Sequence, residues 1–281
     1  MKYLTILLFF TFISINSFAQ IDTTLHPGWN PSGVAGLNLS QIAFSNWTQG
    51  GDNSIAWTFF SNFGFHYLAK PWQLKNDLKL AYGRTKLGNA DYRTNDNELY
   101  LVSVLSYSIG WVVDPYFSNS VRTSVAPGYD YTKTPAEEIA AFFDPGYLIQ
   151  SLGFSYDKNK NFNTRLGLAL QEIITNKFTQ YSDDPDTKNK IEKFKLETGL
   201  ESLTGTKYAL QDNLLLSSQL TLFTRFKALD VWDVRWDNTI TAVVNNYINV
   251  NLNALLIYQK SQSPKTQFKE ALQIGLKYTL F

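Results

Sequence analysis

Ile248-Asn249-Val250-Asn251-Leu252-Asn253-Ala254 alternates apolar and amide side chains. Leu272-Gln273-Ile274-Gly275-Leu276-Lys277-Tyr278-Thr279-Leu280 carries the same rhythm to the end of the chain. Successive side chains of a strand point to opposite faces, so a period of two means a strand with one apolar and one polar face. Upstream segments repeat it. Ile55, Trp57, Phe59, Phe63, Phe65 and Tyr67 share one parity, against Thr58, Asn62, Gly64 and His66. Trp72, Leu74, Leu78, Leu80 and Tyr82 oppose Gln73, Lys75, Asp77 and Lys79, and Trp232, Val234, Trp236 and Ile240 oppose Asp233, Arg235, Asp237 and Thr239.

Extended along the chain, the pattern predicts about twelve strands (ten to fourteen). They fall near 34–44, 54–69, 72–87, 97–109, 116–131, 146–156, 162–174, 191–205, 213–224, 231–244, 248–258 and 267–280. The fourth is ambiguous, because Leu99, Leu101 and Leu105 compete with Tyr100, Val102 and Val104. Connections after the second, eighth and tenth strands are tight. Those after the third, fifth, seventh, ninth and eleventh are mostly longer, the asymmetry of short periplasmic turns and longer extracellular loops. Trp57, Tyr67, Trp72, Tyr82, Trp232, Trp236, Tyr258 and Tyr278 sit on apolar faces, many near strand ends, as in the aromatic girdles of membrane barrels. The expected fold is all-β: a transmembrane antiparallel up-and-down β-barrel. A soluble sandwich also alternates, but buries the apolar face that a barrel turns outward.

Met1–Gln20 reads as a cleavable signal peptide, with Lys2 ahead of a short apolar stretch and Ser17-Phe18-Ala19 before the cut. Residues 1–19 are then the signal and 20–281 the barrel, with 20–33 a periplasmic segment before the first strand. With no cysteine the chain needs no disulfide in an oxidising compartment, and a formal charge of +1 supplies no field for nucleic acid. The expected location is the outer membrane of a Gram-negative bacterium, and the expected partners are outer-membrane lipid, the barrel-assembly machinery and a small polar solute. The C-terminal Phe281 fits recognition by that machinery, although it is out of phase with the apolar Leu276, Tyr278 and Leu280.

Asn46-Trp47-Thr48-Gln49-Gly50-Gly51-Asp52-Asn53-Ser54-Ile55-Ala56 and Phe143-Asp144-Pro145-Gly146-Tyr147 resemble a family of uncharacterised outer-membrane-type proteins of Bacteroidota, catalogued as domain of unknown function 3078. The resemblance extends over most of the mature chain. It implies a Gram-negative envelope protein and no particular activity.

Parity places twelve charges on the polar faces: Lys75, Asp77, Lys79, Arg122, Arg165, Lys193, Lys195, Glu197, Glu201, Asp233, Arg235 and Asp237. These are the candidate lumen-lining residues. Mixed signs suit either cross-lumen pairing or a narrow polar passage. The leading expectation is a narrow channel for small polar solutes. The first alternative is a non-conducting barrel, salt-bridged inside, that binds or scaffolds at the surface; a weaker one is a barrel enzyme acting on lipid. Two histidines, His26 and His66, and no nucleophile motif give no catalytic residues, no metal ligands and no cofactor. Asp183, Asp184 and Asp186 read as a solvated loop, with calcium as the alternative. Thr134-Pro135-Ala136-Glu137 reads as a capping box opening a short helix to about Phe142, a candidate lid over the mouth.

Overall fold

The computed structural model describes residues 26–45, 51–184, 187, 190–260, 263 and 265–281. The signal peptide, Trp47, Gly50, Pro185 and Asp186 lie outside the described residues. The strands in chain order are β1 (Gly28–Ile42), β2 (Ser54–Ala69), β3 (Trp72–Leu87), β4 (Arg93–Tyr107), β5 (Asp114–Thr123), β6 (Gly128–Asp130), β7 (Glu137–Ala140), β8 (Gly146–Asn159), β9 (Phe162–Ile174), β10 (Phe194–Gln211), β11 (Leu214–Arg225), β12 (Ala228–Val243), β13 (Ile248–Tyr258) and β14 (Gln267–Thr279). Twelve of them close a single antiparallel barrel, each pairing with its neighbours in sequence; β6 and β7 form a small hairpin inside one loop. Closure joins β1 to β14, from Val34 opposite Thr279 to Leu39 opposite Ile274. A closed ladder leaves no strand edge unpaired, which is the condition for crossing hydrocarbon with strands.

The burial pattern is that of a soluble protein turned inside out. Leu152, Leu166, Leu168, Leu272 and Ile274 are exposed on the outer wall, while Ser118, Ser151, Arg165, Gln171 and Glu201 are buried within. Alternation does this strand by strand: in β9, Leu166, Leu168 and Leu170 point out while Arg165, Gly167, Ala169, Gln171 and Ile173 point in. Polar groups on the outer wall bond to one another. Ser103 donates to Asn76 at 2.7 Å, Thr164 meets Thr204 at 2.9 Å, and the Trp236 indole donates to Ser218 at 3.0 Å. Such pairing removes most of the penalty of a lone polar group facing an apolar phase.

Aromatic rings mark both ends. Trp29 packs on Tyr67 at 5.0 Å and Trp72 on Tyr107 at 4.7 Å near the termini, while Trp57 meets Tyr82 edge-on at 6.0 Å towards the other end.

Three sequence expectations are corrected. The first strand begins at Gly28, inside the segment 20–33 expected to precede the barrel. Pro31, which donates no amide hydrogen, is tolerated because β1 pairs only with β2 until Val34 meets β14. The connection between β11 and β12 is short, residues 226–227, where a longer loop was expected. Thr224, fully buried, draws this bend tight by donating to the carbonyls of Ala228 and Val231 at 3.2 and 3.1 Å. The helix expected from Pro135 is strand β7 instead, with Glu137 and Glu138 opposite Asp130 and Tyr129. A helix of about two turns has too little cooperativity to hold alone, whereas the neighbouring segment offers a ladder.

Phe281 resolves its own phase mismatch. The chain leaves the ladder after Thr279, Gly33 N–H donates to the Phe281 carbonyl at 3.1 Å, and the ring turns out against Phe63 and Phe65 at 6.3 Å each.

Candidate functional site

The interior charges meet across the barrel. In its centre Glu98 accepts from Arg235 at 2.8 Å and lies 3.3 Å from the Arg122 guanidinium and 3.5 Å from Lys79. Lys79 also lies 3.6 Å from Asp237, whose other oxygen accepts from Asn253 at 2.8 Å. Glu98 is on β4 and Arg235 on β12, opposite strands in the ring, so this pair bridges the full lumen. Arg122 stacks over Tyr100 at 4.4 Å, fixing its plane beside Glu98.

A second run of charge follows the wall through three adjacent strands. Lys195 pairs with Glu197 at 3.2 Å, Glu197 with Arg225 at 2.8 Å, and Arg225 with Asp233 at 2.7 Å. Arg165 and Glu201 face each other loosely at 3.9 Å, both buried. Nearer the termini, Lys75 pairs with Asp157, Lys158 lies 3.6 Å from Asp114, and His66 Nε2 meets Asp77 at 2.9 Å. Eleven of the twelve sequence candidates are therefore placed in these interior groups. Lys193 is not: it precedes β10, is exposed, and donates to Asn176 at 3.0 Å in the loop cluster.

The sequence reading missed Glu98 and Arg225, the anion and cation on which two networks turn. Glu98 lies on the strand whose parity was ambiguous, because its inward neighbours Tyr100, Val102 and Val104 are not hydrophilic. Arg225 fell one residue beyond its expected strand. Counting only charges also passed over the neutral lining.

That lining is extensive. A cavity of about 910 Å³ is bounded by Asn38, Thr58, Thr239, Thr241, Asn249, Asn251, Asn253 and Gln273, with Lys269 towards one end and Lys277 towards the other. A second, of about 620 Å³, holds His66, Lys75, Asp77 and Asp157, and shares Asn62 and Lys79 with the first. Gly275 makes room for the amides: a Cβ there would fall 2.8 Å from Asn38 Oδ1 and 3.0 Å from Asn251 Nδ2.

The loop hairpin β6–β7 leans on the rim. Tyr131 accepts from the Thr94 amide at 2.9 Å, and Asn97 accepts from the Val125 and Ala126 amides at 2.8 and 3.0 Å. Its residues border a separate 480 Å³ cleft with Arg84, Tyr92 and Arg93 rather than the two large lumen cavities. Asp144, from the second resemblance motif, is buried and accepts the amides of Asn176 and Lys177 at 2.9 and 2.7 Å, tying this loop to the next. In that next loop Asp183 accepts the Glu192 amide at 2.9 Å.

Ser32 shares the lumen wall with His66 and Asp77, on either side of Gly64. Among the described residues Ser32 makes no hydrogen bond to His66, and the imidazole is engaged by Asp77 at 2.9 Å. No group of three or more His, Cys, Asp or Glu among the described residues is arranged to hold a metal ion.

Residues 39–129 match the model of a family described as a protein of unknown function, DUF3078. The match includes the stretch around Gly51–Ala56 but not Phe143–Tyr147, and spans about a third of the chain rather than most of it. No curated protein matches in sequence. Among solved structures, the translocator domain of the autotransporter NalP from Neisseria meningitidis is 11% identical, with a TM-score of 0.38, covering 92% of this chain and 90% of that one. The COG4313 outer membrane channel from Pseudomonas putida F1 is 12% identical, with a TM-score of 0.40, covering 91% and 96%. The KdgM porin in complex with disordered oligogalacturonate is 9% identical, with a TM-score of 0.34, covering 89% and 99%. Likeness of this degree says nothing of activity.

Proposed function

We propose that this chain is an outer-membrane barrel of a Gram-negative bacterium and a narrow, selective conduit for small polar solutes. The observation that carries the reading is the 910 Å³ cavity running along β14 from Lys269 to Lys277. Eight residues of strand extend about 26 Å, or roughly 20 Å along the axis of a barrel tilted near 40°. That is most of the ~25 Å apolar band of such barrels. Amide and hydroxyl groups line the path together with charges that balance, Lys79, Arg235, Lys269 and Lys277 against Asp96, Glu98, Asp237 and Glu270, which suits neutral or dipolar solutes better than one of strong net charge. Apolar side chains outward and aromatic rings at both ends support the membrane placement.

A second reading has its own observation. The Glu98–Arg235 bridge crosses the lumen, and a barrel braced in this way serves as a non-conducting scaffold if the brace blocks passage. Single-channel recording of the refolded protein in a planar bilayer, with a salt gradient, separates the two. Small, stable steps of weak ion selectivity are expected. Silence from folded protein would overturn the conduit and leave the scaffold.

A further inference from the structure

The β6–β7 hairpin encloses a cleft of about 480 Å³ with the top of β3 and the start of β4, at the end of the barrel away from the termini. The hairpin is fixed there, because the Thr94 amide donates to the Tyr131 hydroxyl at 2.9 Å. Arg84, Tyr92, Arg93, Tyr129, Tyr131 and Lys133 line the cleft, and Asp91 is the one acid among its described lining residues. It shares no lining residue with the two lumen cavities. Arg84 stands opposite Trp57 and Lys86 opposite Ile55 in the β2–β3 ladder, so both belong to the outward face that carries Trp57 and Tyr82. A volume of this size is within the ~300–1,000 Å³ of small-ligand sites.

The cations here face rings rather than carboxylates. Arg84 lies 5.4 Å and Lys86 5.7 Å from the centre of the Tyr92 ring, and Arg93 lies 5.3 Å from that of Tyr131. Arg84 also donates to the Tyr92 carbonyl at 2.7 Å, which orients it without neutralising it. Its Nε is enclosed, so it offers its terminal nitrogens. No ion pair joins Arg84, Lys86 or Arg93 to a carboxylate among the described residues. Lys133 is taken up by Glu137, and Asp130 by Thr132. Three cations against Asp91 leave the cleft positive. Guanidinium groups backed by rings keep their N–H forks for a phosphate.

Height on the wall says where that phosphate comes from. Arg84 and Lys86 follow the belt residue Tyr82 by two and four positions, about 5 and 10 Å higher along the axis of a barrel whose strands tilt near 40°. The headgroup layer is roughly 5–8 Å deep on each side of a bilayer. These cations therefore stand at and just above lipid headgroups, on the lipid-facing side. We propose that this cleft binds the phosphorylated sugar headgroup of a glycolipid in the outer leaflet. The phosphate meets Arg84, Lys86 and Arg93, and the sugar ring lays its apolar face on Tyr129, whose ring is 40% exposed. The site rests on the membrane placement proposed above, not on passage through the lumen.

The test is a lipid titration of the folded protein in phosphatidylcholine nanodiscs, with bound lipid counted by native mass spectrometry. The probes are bisphosphorylated lipid A, the same lipid A without phosphates, phosphatidylglycerol and inorganic phosphate. Saturable binding of the bisphosphorylated form is expected, with the dephosphorylated form about tenfold or more weaker, since charge-assisted hydrogen bonds are lost. This comparison needs no variant, so folding does not confound it. Lys86→Gln with Arg93→Gln, in protein shown to be folded, weakens lipid A by a similar factor, and Tyr129→Ala weakens lipid A but not phosphatidylglycerol. Equal binding of the two lipid A forms, phosphatidylglycerol as tight as lipid A, or inorganic phosphate that displaces lipid A at equal concentration each overturns the proposal. A chain that inserts into vesicles yet fails this comparison loses the cleft and keeps the membrane placement; a chain that does not insert loses both.

Discussion

Arg235 Nη2 donates to Glu98 Oε1 at 2.8 Å between strands that stand opposite each other in the twelve-strand ring. The bond is a strut across the barrel as well as an ion pair. Arg122 and Lys79 share the same carboxylate, so Glu98 is the hub on which the strut depends.

Removing the hub is therefore worse than removing one spoke. Glu98→Gln leaves Lys79, Arg122 and Arg235 facing one another with one fewer anion, and an unpaired interior charge costs about 3 kcal/mol. Arg235→Ala leaves Glu98 with two cations and costs about 2 kcal/mol, the low end for a truncated buried pair. Urea unfolding in detergent should rank the two in this order. In a conducting barrel Arg235→Ala also raises the single-channel step, and Arg235→Glu shifts selectivity towards cations. Unchanged traces from both would place Arg235 outside the solute path.

Close strand approach makes Gly199 intolerant of a side chain. A Cβ there would overlap the Thr224 carbonyl, a backbone atom held by the ladder that cannot swing away. Gly199→Ala should destabilise the barrel by about 1–3 kcal/mol, the usual cost of overpacking. Gly28, with nothing within 4 Å, is a poor site for overpacking effects. The midpoint of the heat-dependent gel shift compares Gly199→Ala with the parent chain. Equal midpoints would contradict the packing described for β10 against β11.

Leu168 tests the outer wall. It is 61% exposed in the middle of β9. On a membrane protein Leu168→Arg costs about 2–4 kcal/mol of folding into a bilayer. On a protein surrounded by water the same change is neutral or improves solubility. Folding titrations into lipid vesicles measure the difference directly, and a neutral result there would remove the membrane placement.

Phe281 closes the seam between the first and last strands through Gly33 and packs its ring on Phe63 and Phe65. Phe281→Ala keeps the backbone bonds but loses the ring contacts, about 1 kcal/mol for a ring that stays half exposed. Refolding yield into vesicles should fall modestly. Removal of Leu280 and Phe281 together, which also deletes both bonds to Gly33, should lower it much further.

In the loop hairpin, the Thr132 hydroxyl and then its amide bond to Asp130 and hold that carboxyl below its ordinary value. A depressed carboxyl lends its stability above its unfolded pKa and loses it as pH falls through the folded one. Thr132→Ala should return Asp130 towards its usual titration, read by carbon-detected NMR. An unmoved titration would mean that the turn does not form this bond.

Much of this architecture was legible before any coordinates. The alternation at Ile248–Ala254 and Leu272–Leu280 marks strands because the side-chain period of a strand is independent of context. Parity then assigns Lys79, Arg122, Arg165, Glu201, Arg235 and Asp237 to the polar face. The capping box at Thr134 misled because a local signal for a short helix is weaker than an available strand partner. Glu98 escaped because β4 turns aromatic and aliphatic side chains inward as well as outward, so alternation did not choose its face.

What the sequence by itself determined is which side of the wall the residues of most strands face, β4 excepted, since that follows from two-residue periodicity and the cost of placing charge against hydrocarbon. Only the tertiary structure decided which charges meet. Glu98 and Arg235 are 137 residues apart, and their contact exists because the ring closes through β1 and β14 and sets β4 opposite β12. Closure also encloses the long amide-lined cavity and the second one around His66 and Lys75. Both are properties of the enclosed space between strands, which no single strand's pattern contains.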